Sequence, residues 1–337
     1  MFHESIDILD GVMYYYVNSS RRASSTFVLC INTTGLLFFA GEFYMEQKPF
    51  LTIEEQLDLL ESRGLIIDNV DNASACLARL NYYRLSGYTL TLRKGNRFYD
   101  NVKFSDVMQI YNFDRELKML LLQWLEDIEI SLRTRVGHEL GRISPTSYLD
   151  VNSFASQLHF NEFREELHHA LKNNKNEAFV KHHNSKYDGV LPCWAIVETL
   201  SFGALSRLFC NLNVSLKKEV CAYYSNIRYT YFENWFEGLV VLRNMCAHHT
   251  RLYNRGLPNA LKFPHEDFRY FQEIGFDQNA IGKKVFFSIV ILDRICPENT
   301  PMFINGIKVL IEKYPFIKIK HYGFPNDWED VLDKINK

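Results

Sequence analysis

The chain has 337 residues, of which 47% are hydrophobic, so it can bury a large core in one or two domains. Its formal net charge of −2 excludes a protein that coats nucleic acid with its whole surface, and any site for a polyanion must therefore be local. The sequence has no run of about 18 apolar residues, which argues against a membrane span. Its seven cysteines form no Cys-x-x-Cys pair, which favours reduced thiols in the cytoplasm.

Residues 1–44 differ in character from the rest of the chain. The apolar run TFVLCINTTGLLFFA loosely resembles a secretory signal, but Asn32 and two threonines interrupt it and no small-residue cleavage site follows. We interpret 1–44 as an extension and expect the functional protein to begin at Met45. Deletion of this extension is therefore expected to leave the activity intact.

The predicted helices begin after Lys48. Thr52 and Glu55 have the spacing of a capping box, which predicts a helix that ends near Gly64. A second helix is predicted over 69–80. We expect residues 45–100 to form a small helical N-terminal region that contains a basic and aromatic segment.

That segment is NYYRLSGY, residues 81–88, and it lies in a stretch without acids between Asp71 and Asp100. Cations interleaved with tyrosines suit the RNA backbone and the faces of unpaired bases. Arg84 and Tyr83 are therefore candidate RNA-binding residues. Ordinary packing of tyrosines beside a glycine turn, with Arg84 bonding carbonyl groups, is an equally good interpretation.

A long helix is predicted from Ser105 to residue 142, because apolar residues recur there with a period near 3.6. It contains an Arg-x-x-x-x-His pattern, Arg133 and His138. Glu129 stands four residues before Arg133, a spacing that pairs the two side chains on a helix. A salt-bridged outer helix and a functional face are both open interpretations.

The segment LPCWAIVETLSFGALSRLF, residues 191–209, is apolar and follows a polar stretch of shorter predicted helices. Glu198 is an acid inside this apolar helix, and a buried carboxylate requires a partner. We expect Arg243 to be that partner, in which case Glu198 orients the arginine.

The chain is organised around LVVLRNMCAHHTRLYNR, residues 239–255, which we predict to be helical. At ~100° per residue, a helix would separate an apolar side from a polar stripe. The apolar side comprises Leu242, Met245, Cys246, His249 and Leu252. The polar stripe comprises Asn244, His248, Arg251 and Arg255. No acid occurs between Glu237 and Glu266 to neutralise this charge, so we expect the stripe to bind phosphate.

Within this segment, Arg243, Asn244 and His248 form the pattern Arg-Asn-x-x-x-His. An imidazole moves protons near neutral pH, and a guanidinium binds a phosphate with two parallel hydrogen bonds. Together they suit metal-free RNA cleavage, in which a 2′-hydroxyl attacks its own phosphate. No metal and no cofactor is expected, since no His-Glu-x-x-His spacing occurs.

Of three Arg-x-x-x-x-His patterns, only this one combines acid-free surroundings with a polar stripe. The pair Arg164 and His169 lies among glutamates, which favours a solvated charged helix. On an ideal helix Arg243 and His248 point ~140° apart. A complete site therefore needs a second copy of the chain, which we favour, or the motif at Arg133 and His138 in the same chain.

Six blocks of sequence together resemble one known family. In order, they are KPFLTIEEQLDLLESRGLII, NYYRLSGY, IYNFDRELKMLLLQWLEDIEISLRTRV, LPCWAIVETLSFG, LRNMCAHHTRLYNR and YGFPNDW. From Lys48 to Trp328 the chain resembles the Abi-like abortive-infection proteins of the AbiD/AbiF type, which confer phage resistance on bacteria. That family in turn resembles the HEPN proteins.

The resemblance implies an all-α fold, a HEPN-like helical bundle with its core at 101–290 and a short helical tail at 291–337. It also implies a cytoplasmic toxin that cleaves RNA during phage infection. The implied partners are RNA, as substrate and as a restraining noncoding RNA, and a second copy of the chain.

The same resemblance assigns roles to residues. Arg243, Asn244 and His248 match the HEPN motif and are the implied catalytic residues. Arg133 and His138 match only the bare pattern, as a second motif. We assign Arg251 and Arg255 to flanking phosphates.

Two functions of different classes stay open. One is an endoribonuclease toxin, and the other is a non-catalytic RNA-binding module of a defence or toxin–antitoxin ribonucleoprotein. A third interpretation treats Arg243 and His248 as a buried structural pair. Replacement of His248 by alanine separates the first two, because it should abolish cleavage and leave RNA binding in place.

Overall fold

A computed structural model describes the chain from residue 49 to residue 335, except residue 226, and the backbone of four strands before it. It divides into two compact units, Met1–Gln56 and Leu57–Lys337. The regions predicted as 101–290 and 291–337 both fall in the second unit. The predicted start at Met45 lies outside the described residues.

The first unit contains an antiparallel sheet whose strands are adjacent in the order of the chain. Its strands are β1 His3–Leu9, β2 Val12–Asn18, β3 Phe27–Asn32 and β4 Gly35–Phe39. The apolar run that resembles a secretory signal thus supplies β3 and β4, which pair in a register that sets Asn32 opposite Gly35.

From residue 53 onward the described chain is helical, and the predicted all-α fold is confirmed. The only strands in this described part are two short ones, β5 Arg93–Lys94 and β6 Arg97–Phe98. Its α-helices are α1 Ile53–Ser62, α2 Val70–Arg79, α3 Tyr82–Ser86, α4 Phe104–Ile143, α5 Gln157–Asn173, α6 Ala178–Lys186, α7 Cys193–Ile196, α8 Phe202–Asn211, α9 Val214–Ala222, α10 Tyr229–Ala247, α11 His265–Glu273, α12 Val285–Ile295, α13 Thr300–Lys313 and α14 Trp328–Ile335.

Helix α4 is the central element of the second unit. It has 40 residues, so it is ~60 Å long, and α7, α8, α9, α10, α12 and α13 all pack against it. The predicted periodicity is confirmed, since Leu117, Leu121 and Leu125 on the apolar stripe are fully buried. The helix begins at Phe104, one residue before the predicted start at Ser105, because the Asp106 carboxylate accepts a hydrogen bond from the backbone of Lys103.

Helix α10 ends at Ala247, and the prediction of a helix throughout 239–255 is wrong. His249 adopts a left-handed conformation, with φ of 56°. The backbone N–H groups of His249 and Thr250 then donate to the carbonyls of Cys246 and Met245. This is a Schellman motif, which terminates a helix by satisfying its last carbonyl groups.

The early end of α10 breaks the two predicted stripes. His249 is exposed instead of lying on the apolar side, whereas Leu252 and the adjacent Tyr253 are buried by the turn that follows. Arg251 and Arg255 therefore do not continue the polar row of Asn244 and His248. Among the described residues, no helix is both long enough and apolar enough to cross a membrane.

Candidate functional site

Arg243 projects from the last turns of α10 toward α4, where it meets an acid that the sequence analysis did not assign to it. Its guanidinium donates to the Glu129 carboxylate over 3.3 Å and to Oδ1 of Asn244 over 3.0 Å. The arginine side chain is 27% exposed and the glutamate side chain 19% exposed. This ion pair is thus partly shielded from water and restrains the direction in which Arg243 points.

The other oxygen of Glu129 binds Arg133, which lies one turn further along α4. Arg133 also donates to the carbonyls of Val197 and Leu200, each over 2.6 Å. These carbonyl partners hold Arg133 more firmly than Arg243 is held. The predicted pairing of Glu129 with Arg133 is confirmed, and one carboxylate joins the arginines of both motifs.

Glu198 does not have the predicted role. Its side chain is exposed, and the described residues offer it no hydrogen bond and no ion pair. Helix α7 ends at Ile196, and a short 3-10 turn at Val197–Thr199 carries Glu198 away from the apolar face that a continuous helix would have given it. Glu129, 114 positions from Arg243, holds the arginine instead.

An open groove of about 640 Å³ lies beside this ion pair, between α4 and the end of α10. We name it the α4 groove. Its lining residues are Met119, Leu122, Gln123, Glu126, Glu129, Ile130, Arg133 and Arg243. Both arginines thus face a cleft that is large enough for a nucleotide and open to water.

Asn244 and His248 lie on the exposed side of the same helix end. His248 is the C-terminal cap of α10, and its backbone N–H donates to the carbonyl of Asn244 over 2.9 Å. Its imidazole forms no hydrogen bond or ring contact within the described part of the chain. The interpretation of Arg243 and His248 as a buried structural pair is therefore wrong.

The second motif does not bring its histidine to this place. His138 is exposed, and its Nδ1 lies 3.1 Å from Glu139. It lines a separate groove of about 500 Å³ with Trp194 and Arg142. His138 lies ~30 Å along α4 from Lys118, whose ammonium contacts the Thr250 carbonyl just after His248. Within one chain the two arginines meet and the two histidines do not.

The predicted RNA-binding residues divide into two groups. Arg84 and Tyr83 lie on α3, where Tyr83 is 70% exposed and Arg84 donates to the carbonyl of His249 over 2.8 Å. Arg251 is half-buried and bonds the carbonyl of Tyr253, whereas Arg255 is exposed. Three of the four residues thus have exposed side chains close to the end of α10.

Asp114 on α4 is the residue that the sequence analysis missed. It is fully buried, and it accepts hydrogen bonds from the hydroxyls of Tyr88 and Tyr322 over 2.9 and 3.1 Å. The backbone N–H groups of Leu252 and Tyr253 also donate to it. The signal was present, since an acid stands on the apolar stripe of a long helix, where burial requires partners.

Lys118 completes this buried cluster, with its ammonium 2.9 Å from the Asp114 carboxylate. Burial and the Asp114 charge raise the pKa of Tyr88 and Tyr322, so both hydroxyls stay protonated and donate. The cluster ties the turn after α10 to α4 and to the C-terminal part of the chain. It thereby fixes the position of His248, the residue that caps the C-terminus of α10.

Four of the sequence blocks quoted above meet at this one carboxylate. NYYRLSGY supplies Tyr88, IYNFDRELK supplies Asp114 itself, LRNMCAHHTRLYNR supplies Tyr253, and YGFPNDW supplies Tyr322. A comparison with protein families finds that the family described as Abi-like protein matches residues 75–254, more than half of the chain. The chain belongs to the Abi-like protein family. Membership suggests a role in abortive infection, a defence against phage.

The residues that the family match covers include Arg84, Asp114 and the turn after α10. They also include both motifs whose arginines share Glu129, Arg133/His138 and Arg243/His248. The expected relation to Abi-like proteins is thus confirmed for 75–254. No curated protein and no solved structure matches the chain. Within the described residues, no group of three or more His, Cys, Asp or Glu side chains is arranged to hold a metal ion.

Proposed function

We propose that this Abi-like chain acts in phage defence as a metal-independent endoribonuclease of the HEPN type. His248 is the general acid or base, Arg243 binds the scissile phosphate, and Asn244 orients the arginine through its 3.0 Å hydrogen bond. Two observations carry the proposal: the His248 imidazole is exposed and has no hydrogen bond in the described structure, and Arg243, five residues before it, is held by an ion pair at the α4 groove.

The chemistry needs no group other than these side chains and the RNA itself. A base removes the proton of a 2′-hydroxyl, and the oxygen attacks the adjacent phosphorus. The bond from phosphorus to the 5′-oxygen of the next nucleotide breaks, and an acid protonates that oxygen. The products are a 2′,3′-cyclic phosphate and a 5′-hydroxyl. Arg243 lowers the energy of the crowded, doubly charged phosphorus.

One imidazole cannot be the base and the acid in the same step. Because His138 lies far from His248, a second copy of the chain is the proposed source of the other imidazole. The rim of the α4 groove suits such a contact, since Met119 is 65% exposed and Ile130 is 53% exposed. Large apolar side chains exposed beside a functional groove are typical of protein interfaces.

The test compares His248→Ala with His249→Asn in the full chain. Both histidines are exposed and adjacent, and asparagine tolerates the left-handed backbone at position 249. We expect His248→Ala to abolish cleavage of a labelled single-stranded RNA and to remove toxicity in cells, and His249→Asn to retain most of both. Full activity of His248→Ala would refute the proposal.

The second candidate is a non-catalytic RNA-binding module of a defence or toxin–antitoxin ribonucleoprotein, with a noncoding RNA as its partner. One observation favours it: Arg133 and Arg243 are already satisfied by Glu129 and by carbonyl groups. Wild-type protein that binds RNA and leaves it intact, whatever the sequence of the RNA, would select this candidate.

A further inference from the structure

Four of the acid-free segments of the sequence are 72–99, 238–265, 278–292 and 313–326. They make up 85 residues and carry fourteen of the 38 lysines and arginines but none of the 40 acids. Since the whole chain has a net charge of −2, the remaining residues are strongly acidic. The charge of this chain is therefore sharply divided between segments.

The fold brings these four segments together. Segment 72–99 contacts 238–265 through Arg84 and the carbonyl of His249. Segment 278–292 is bound to 238–265 by the N–H of Leu257, which donates to the carbonyl of Lys283 over 2.7 Å. Segment 313–326 reaches both, because the His321 ring lies 5.1 Å from the ring of Tyr253 and Lys284 packs against Gly323.

Most of these cations have no acidic partner among the residues that the structure describes. Of the fourteen, Arg243 and Lys313 form ion pairs, and the other twelve form none with any residue that the structure describes. We name as the cationic face the six that border the turn after α10 and are exposed or half-buried. They are Arg84, Arg255, Lys283, Lys284, Lys318 and Lys320.

Three of these lysines lie close enough to His321 to affect the pKa of its imidazole. Burial first, and then the charges of Lys320, Lys318 and Lys284, lower its pKa. An unpaired cluster of like charges destabilises a fold unless a counter-charge binds to it. Three lysines from two separate segments that surround one ring, without an ion pair in the described structure, therefore suit a binding surface for a polyanion.

We infer that the cationic face binds the phosphate backbone of a single RNA strand beside His248 and feeds that strand into the α4 groove. The inference rests on the proposed function for the identity of the polyanion. Tyr83, exposed next to Arg84, offers a ring on which an unpaired base can stack. Five of the six cations lie outside the region that the family match covers.

The test measures binding of a fluorescent 20-nucleotide single-stranded RNA to the full chain in the His248→Ala background. Lys318→Glu combined with Lys320→Glu should weaken binding by at least tenfold, because both side chains are exposed and the change replaces two positive charges of the cationic face with negative ones. The matched control is Lys172→Glu with Lys175→Glu, two exposed lysines near α5 that have no ion pair in the described structure. We expect the control to stay within twofold of the parent.

Two further measurements exclude a simple loss of folding. Lys318→Arg with Lys320→Arg should restore binding, because the charge is kept. The dependence of binding on salt should fall by about 0.7 in log–log slope for each phosphate that the variant no longer neutralises. Weaker binding with an unchanged slope, or equal losses in the control, would overturn the inference.

The outcomes also separate this inference from the proposed function. If the glutamate variants bind and cleave RNA normally while His248→Ala is inactive, the cationic face is refuted and the nuclease stands. If they lose binding but wild-type protein cleaves no RNA, the face stands and the nuclease is refuted. Binding to phosphatidylglycerol vesicles, lost in the same variants and without any RNA binding, would assign the face to a membrane and overturn the inference.

Discussion

Glu129 and Arg243 are 114 positions apart in the sequence and form an ion pair of 3.3 Å in the structure. The sequence segment around Arg243 contains no acid, and the expected partner of this arginine was Glu198. That expectation is wrong, because α4 and α10 pack side by side and α4 presents an acid to the arginine. Glu129 is shared with Arg133, so the group of three retains one net positive charge.

The shared carboxylate leads to the first prediction, on Glu129→Gln. The variant keeps the size of the side chain and removes the charge that holds both arginines. We expect the free energy of unfolding to fall by about 2 kcal/mol and RNA cleavage to fall by roughly 10-fold to 100-fold, since Arg243 is no longer held in direction. Denaturant titration and a single-turnover cleavage assay measure the two effects.

Glu126→Gln is the matched control for this variant. Glu126 lines the same groove one turn away, and it forms no ion pair with the residues described. Its replacement should leave stability unchanged and should not slow cleavage. Equal losses in both variants would show that the charge of the groove matters and that the ion pair to Arg243 does not.

The buried Asp114 cluster gives a prediction about stability. Asp114→Asn keeps one acceptor oxygen but leaves the buried ammonium of Lys118 without its counter-charge. Loss of one partner of a buried ion pair costs about 3 kcal/mol or more, and we expect a shift of the denaturation midpoint to match. Asp127→Asn on the exposed side of α4 should change it little. A shift of similar size in both variants would contradict the importance assigned to the cluster.

The pH dependence of stability carries a prediction at His321. Its pKa lies below the ordinary 6.5, so the folded state binds a proton less readily than the unfolded state. The free energy of folding that this group contributes is fully present above pH 6.5. It is lost as the pH falls from there through the lower pKa of the folded state. Lys318→Glu with Lys320→Glu should raise the pKa of His321, and so should bound RNA. Nuclear magnetic resonance of the imidazole protons measures it, and an unchanged pKa in both cases would contradict the placement of the lysines.

Metal independence is a prediction about the chemistry. Since imidazole and guanidinium groups supply every proposed role, a chelator such as EDTA should leave the cleavage rate unchanged within about twofold. The products should carry 2′,3′-cyclic phosphate ends, which a phosphatase does not remove. Cleavage that stops with the chelator and returns with added Mg²⁺ would refute the proposed mechanism.

The proposed pairing of two chains predicts a change of mass in solution. Ile130→Glu places a charge on the rim of the α4 groove and should convert a dimer to a monomer in light scattering, with cleavage reduced at least tenfold. The control is Val309→Glu on α13, a comparably exposed aliphatic residue away from the groove. A wild-type protein that is monomeric at all concentrations and still cleaves RNA would rule out the shared site.

The helical class and the family could be recognised in the sequence, because both depend on local patterns. The period of apolar residues in α4 predicts its buried stripe, and the spacing of Glu129 and Arg133 within one helix predicts their contact. The end of α10 could not be predicted in the same way. His249 takes a left-handed conformation that sequence favours only weakly, and the buried Asp114 binds the backbone that follows.

The sequence by itself determined the helices, the Abi-like blocks and the residue types of the candidate site, since these follow from short-range periodicity and composition. Only the tertiary structure decided which acid meets Arg243, why Glu198 has no part in that contact, and how four acid-free segments come to lie together. Charges interact through space and depend on burial, so their partners are set by the packing of helices that lie far apart in the chain.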